Sequence, residues 1–194
     1  GITFEKNISL DDQFLFTVKQ KIINSSDKTY NFYPYGQIIR NIAPEVTNFY
    51  ILHEGLIGVV DESLNEENYD DVQDKKKSYT GSKGWVGITD KYWLTAVVPE
   101  KGKNFNAEFV YDKAFKANYI ITDPTVINVN QTGSNTSSLF IGAKEVSIVD
   151  GYAENLGFHK FDLAIDWGWF HFFTKPLFFV IDYLFKFSGN FGIA

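Results

Sequence analysis

The chain has 194 residues, 24 acidic against 18 basic side chains, a net charge of -6, no cysteine, no methionine and 18% aromatic residues. That length can bury a real core, and zero cysteines exclude a disulfide scaffold, a thiolate metal site and a cysteine nucleophile. An acidic balance argues against a nucleic-acid-binding module, which needs a basic face.

Taken in chain order, 2–8 reads as a strand, and 13–23 alternates: Phe14, Phe16, Val18 and Ile22 on one side, Thr17, Lys19 and Lys21 on the other. Period two with aromatic and β-branched residues predicts a half-buried strand. The polar cluster from Asn24 to Lys28 is a turn, and 29–40 resumes strand composition, so the two segments are expected to form a hairpin. Pro34 and Gly36 make the second segment an edge or a bulge. Further strands are predicted over 49–53, 55–60, 84–89, 92–98, 105–111, 118–122, 125–129 and 138–143. Many short strands with polar turns imply a mainly β, antiparallel sandwich rather than a βαβ fold.

Seven acids between Asp61 and Asp74, followed by Lys75, Lys76 and Lys77, read as a solvated loop. The central glycine and terminal glutamate of a calcium loop are missing, so no metal is expected there. A helix is predicted over 145–156, with Val146, Val149, Ala153 and Leu156 as its apolar stripe and Gly157 as its terminator. Residues 161–165 alternate and read as a last strand, and Asp166 fits the N-cap of a short helix from Trp167.

The C-terminal stretch differs in kind. Residues 160–194 carry three lysines against three aspartates, so the whole negative charge lies before them, and 13 of the 34 aromatics fall between Phe158 and Phe191. The expected division is a β-sandwich body over 1–157 and an aromatic-rich helical segment over 158–194. Thr174-Lys175-Pro176 reads as a helix start with Pro176 in its first turn. Lys175, Asp182 and Lys186 form one narrow polar stripe, and the remaining positions from Leu177 to Phe187 are apolar or aromatic. Such a helix is buried either in protein or in lipid. Its charges interrupt it too often for the ~18–20 apolar residues of a membrane span, so the pattern suits a core helix docked on the sandwich or a helix lying in a membrane interface.

Here the residues resemble a known family. Asp166-Trp167-Gly168-Trp169-Phe170, Lys175-Pro176-Leu177-Phe178 and Gly189-Asn190-Phe191-Gly192 are similar to the junction between the periplasmic domain and the membrane core of YidC-type membrane protein insertases. Gly84-Trp85-Val86 with Tyr92, Ala96 and Pro99 resembles the Gly-Trp-Val segment of that domain, and the resemblance runs along essentially the whole chain.

The resemblance implies a partial extracytoplasmic β-supersandwich with C-terminal helices, lacking the first transmembrane segment and the early strands. A chain without methionine fits a piece of a longer membrane protein. It also implies a non-catalytic role, on the periplasmic side of the bacterial inner membrane, in inserting and folding inner-membrane proteins. The implied partners are nascent inner-membrane proteins, the Sec translocon with its SecDF accessory, and the membrane surface. The membrane-interface residues are then Trp167, Trp169, Phe170, Leu177, Phe178, Val180, Ile181, Leu184 and Phe185. The groove and arginine that carry insertion would lie beyond Ala194.

Two rival readings come from other classes. A carbohydrate- or peptide-binding module would use Tyr33, Tyr35, Trp85, Tyr92 and Trp93, with Tyr30, to line a groove, since aromatic faces suit ligands with apolar and polar sides. A mutarotase-like enzyme would need a carboxylate base and a histidine acid converging in a cleft. His53, His159 and His171 show no metal-ligand spacing, no G-x-S-x-G elbow occurs, and Gly81, Gly84 and Gly87 do not make a phosphate loop. No catalysis and no cofactor are expected.

Overall fold

The computed structural model describes residues 1–44, 52–168 and 171–192, with His171 placed by its backbone alone. Among these residues the strands are antiparallel and form two main sheets. The larger has seven strands: β1 (Ile2–Leu10), β2 (Leu15–Asn24), β5 (Gly55–Val60), β6 (Ser63–Glu67), β8 (Gly84–Thr89), β9 (Trp93–Val98) and β13 (Thr132–Ala143), in the order β1-β2-β13-β9-β8-β5-β6. The smaller has β4 (Tyr35–Arg40), β7 (Lys77–Gly81), β10 (Phe105–Tyr111) and β11 (Phe115–Ile121), in the order β4-β11-β10-β7. A short ribbon pairs β3 (Tyr30–Phe32) with β12 (Thr125–Ile127).

The large sheet is covered on both faces, which makes three layers. Leu56, Val60, Val86, Ile88 and Val97 point toward the small sheet and meet Phe105, Phe109, Phe115 and Tyr119. The alternate residues Ile57, Val59, Trp85, Leu94, Ala96 and Val98 point the other way, against Phe140, α2 (Val146–Asn155) and a 3₁₀ turn at Phe161–Ala164. Double coverage explains why β5 and β8 are buried at every position and read as unbroken apolar runs. The glycines in those runs let neighbouring strands close up: a Cβ on Gly87 would stand 2.4 Å from the Thr95 carbonyl oxygen.

Several expectations require correction. The segments around Asn24–Lys28 do not form a hairpin. β2 pairs with β1 and β13, whereas β3 and β4 pair with β12 and β11. The turn is a crossing between sheets, pinned by the fully buried Asn24. Its amide donates to the carbonyls of Lys28 (2.7 Å), Ile127 (3.0 Å) and Asn128 (3.0 Å). Pro34 does fall between strands, and β4 is an edge strand.

The acidic run is not a loop. After the turn at Asp61 it forms β6 and the short helix α1 (Tyr69–Asp74), because Tyr69 and Val72, three apart, both bury against the small sheet. The strand expected over 161–165 is the 3₁₀ turn, in which Phe161 and Ala164, again three apart, enter the core together. The core therefore continues to Ala164, past the expected division at 157. The helix expected at 145–156 is α2, but its buried residues are Val146, Ile148, Val149 and Tyr152, and Leu156 is exposed. The strand expected over 49–53 falls mostly outside the described residues.

The last helix, α3, spans His171–Ser188. The separate short helix expected from Trp167 does not begin there: the Asp166 carboxylate accepts the Gly168 N–H (2.7 Å), and Gly168 has φ +69°, outside the helical region. Pro176 is the sixth residue of α3, not part of a first turn, and one backbone hydrogen bond is missing there.

Candidate functional site

Side chains in the first two turns tie α3 to the sandwich. Lys175 pairs with Asp150 of α2 (3.2 Å) and lies 5.8 Å above the Trp167 ring, whose edge meets Phe178 at 5.5 Å. Thr174 donates its hydroxyl to the Trp167 carbonyl (3.0 Å). On the opposite side of the helix, Phe173, Leu177, Val180, Leu184 and Phe187 recur at i, i+4, i+7, i+11 and i+14. All five are exposed, from 39% at Leu184 to 85% at Phe187. Asp182 and Lys186 form an ion pair (2.6 Å) on the side of Lys175. No helix among the described residues is long and apolar enough to cross a membrane.

Of the residues read as membrane-facing, Leu177, Val180, Leu184 and Phe185 are exposed and Ile181 is half-buried. Phe178 and Trp167 turn toward each other. Trp169 and Phe170 lie outside the described residues. Phe173 and Phe187, which are not among those nine residues, share the exposed stripe, and their spacing is legible once the helix is known to begin at His171.

The aromatics read as one groove are not brought together. Trp85 is fully buried, edge-on to Phe161 at 5.2 Å, so it cannot meet a ligand. Tyr33 and Tyr35 line a cleft of about 600 Å³ between the two main sheets, with Phe4, Val18, Gln20 and Tyr119. Tyr92 and Trp93 lie elsewhere, at the tip of the β8–β9 hairpin.

The titratable groups are committed to the fold. His53 and His159 each hold a backbone carbonyl through Nε2, that of Leu56 (3.0 Å) and of Asp61 (2.7 Å). In the acidic run, Asp61 accepts the Ser82 and Lys83 N–H groups, Glu62 pairs with Lys160 (2.8 Å), and Glu67 pairs with Lys77 (2.8 Å). Hydrogen bonds from Ser82 hold Asp61 below the usual carboxylate range, and those from Lys160 do the same for Glu62. No cluster able to hold a metal ion occurs among the described residues.

At the end of the sandwich where α3 departs, Arg40 forks onto both oxygens of Asp90 and donates to the Tyr69 hydroxyl (2.8 Å). The Lys144 ammonium donates to the Thr89 hydroxyl (2.9 Å). Burial holds this lysine below the usual range, against the opposing pull of Asp166, Asp90, Glu54 and Glu66.

Residues 1–180 match the profile of the family described as the YidC periplasmic domain. The chain is 59% identical over 194 residues to the membrane protein insertase YidC of Pelagibacter ubique, covering all of this chain and 35% of that protein. The insertase of Nitrobacter hamburgensis is 41% identical over 210 residues, and that of Rickettsia canadensis 39% over 201, again covering all of this chain and 34% and 36% of theirs. The chain thus spans about a third of the length of these relatives. Among solved structures, a galactose mutarotase related enzyme from Lactobacillus acidophilus superimposes with a TM-score of 0.49 at 14% identity, over 74% of this chain and 64% of that one. At that level the likeness carries no argument about activity. The family profile and the relatives' identities agree along the chain, which belongs to the YidC periplasmic domain family.

Proposed function

We propose that the chain is the non-catalytic, extracytoplasmic part of a membrane protein insertase, on the periplasmic side of the inner membrane, with α3 lying in the membrane surface. Through its parent protein it serves the insertion and folding of nascent inner-membrane proteins, in company with the Sec translocon and its SecDF accessory. The observation that carries the reading is the exposed stripe from Phe173 to Phe187 on a helix held to the body by its other side. Half-immersing five such side chains in lipid is worth roughly 4–8 kcal/mol, at ~1.5–3 kcal/mol for each one fully removed from water. The Lys175, Asp182 and Lys186 side stays with the body and with water, as an interfacial helix requires. His53 and His159, each held on a backbone carbonyl, support a reading without acid–base chemistry at those two residues.

Vesicle flotation tests the reading. The full chain is expected to float with phosphatidylethanolamine–phosphatidylglycerol vesicles, and the double substitution Leu177→Glu/Leu184→Glu to remain in the dense fraction. Equal flotation of the two would overturn it. Neither side chain belongs to the sandwich core, so circular dichroism of the strands should be unchanged.

A further inference from the structure

We infer that the tip of the β8–β9 hairpin, Tyr92 and Trp93 with Lys91, is a second contact with the phospholipid headgroup region, separate in sequence from α3 but at the same end of the sandwich. The inference rests on the reading of α3 as an interfacial helix and extends it to the body of the domain.

The geometry is that of a fixed, outward-turned aromatic pair. Tyr92 and Trp93 are 64% and 60% exposed, although β9 beyond them is almost wholly buried. The tip is held rigid: the Asp90 N–H donates to the Trp93 carbonyl (2.8 Å), and the Asp90 carboxylate is gripped by the Arg40 fork. Ordering on contact therefore costs little. Tyrosine and tryptophan combine an apolar ring with a polar edge and favour the headgroup level of a bilayer. The Lys91 ammonium lies 5.1 Å from the Tyr92 ring centre, where it can reach lipid phosphate while its stem stays with the ring.

Two of the acids at this corner are engaged: Asp90 pairs with Arg40, and Glu54 accepts the Lys91 N–H (2.8 Å).

The tip is also linked to the departure of α3. The Lys144 N–H donates to the Tyr92 carbonyl (2.9 Å), and the Lys144 side chain feels Asp166, which opens the connection to α3. The tip and the start of that connection thus lie at one end of the sandwich.

Because the chain has no cysteine, single cysteines carrying an environment-sensitive nitrobenzoxadiazole label report each site cleanly in the full chain. Tyr92→Cys reads the tip, Val180→Cys reads α3, and Lys103→Cys, exposed in the turn at the far end of β9, is the control. With phosphatidylethanolamine–phosphatidylglycerol vesicles, blue-shifted emission at 92 and 180 but not at 103 is expected. A shift at 180 alone overturns the inference, leaves α3 as an interfacial helix, and assigns the tip to a protein partner. A shift at 92 alone overturns the reading of α3, and with it the inference in its present form. No shift at either overturns both. In unlabelled protein, Tyr92→Ser/Trp93→Ser is expected to weaken vesicle partition roughly tenfold or more. Unchanged partition would also overturn the inference.

Discussion

At the scale of single residues, fixed backbone and buried rings decide what each position tolerates. Gly84 has φ +135°, and a Cβ there would stand 1.8 Å from the Val59 carbonyl oxygen. Gly84→Ala is expected to cost about 3 kcal/mol or more, because strain and a clash with backbone add. Gly102, with φ +74° and open space around it, should lose only about 1–2 kcal/mol on the same change. Urea denaturation of both variants measures the difference, and equal midpoints would refute the account. The sequence marks Gly84 as a turn glycine but does not reveal the facing carbonyl. Trp85 shows a similar limit: an aromatic in a strand signals burial or binding equally, and only its place opposite Phe161 decides for burial.

At the scale of elements, strand bounds were legible where both faces are buried and partners were not. β5 and β8, buried at every position, coincide with the predicted runs, and β10 coincides through its alternation of buried and half-buried residues. β6, β7 and α1 were missed because each buries only a few side chains amid charge: Tyr79 in β7, Tyr69 and Val72 in α1. The false hairpin came from assuming that neighbours in sequence pair in space.

A different tie between elements carries a pH dependence. The Asp11 carboxylate, in the β1–β2 turn, accepts the Gln13 and Leu15 N–H groups (both 2.9 Å) and the Tyr152 hydroxyl of α2 (2.7 Å). Burial pushes its pKa up, but these bonds more than offset that, and it lies below its ordinary 3.8. A depressed folded pKa stabilises fully above the unfolded value and ceases to do so as pH falls through the folded one. Asp11→Asn should therefore cost about 1–2 kcal/mol at pH 7, with the gap to the unsubstituted chain closing as pH falls below 3.8. Urea midpoints at pH 7, 4 and 3 check this; a constant gap would refute it.

At the scale of the whole molecule, three layers place the most stable structure in the middle. β5, β8 and β9 have neighbours on both sides and covered faces, while β1 is an exposed edge and α3 is tied to the body at its start. Hydrogen exchange in solution is expected to be slowest in β5, β8 and β9 and fastest in β1 and α3. Protection of β1 equal to that of β8 would contradict the layering. The sandwich class follows from strand composition alone, and the tail is set apart by its neutral charge and aromatic density. The β8–β9 tip was legible only in part: Tyr92 and Trp93 were singled out as groove residues, but that both stay exposed at a hairpin tip depends on pairing that no local pattern encodes.

The 3₁₀ turn before α3 has a mechanical consequence. Phe161 is fully buried among Trp85 (5.2 Å), Phe140 (5.7 Å), Phe158 (5.7 Å) and Tyr152 (6.5 Å). It lies only ten residues before the start of α3. Any pull on α3 would therefore reach two anchors: the Lys175–Asp150 pair on α2 and, ten residues before the helix, a ring of packed aromatics. The interior of the sandwich, and not a surface loop alone, would share the load.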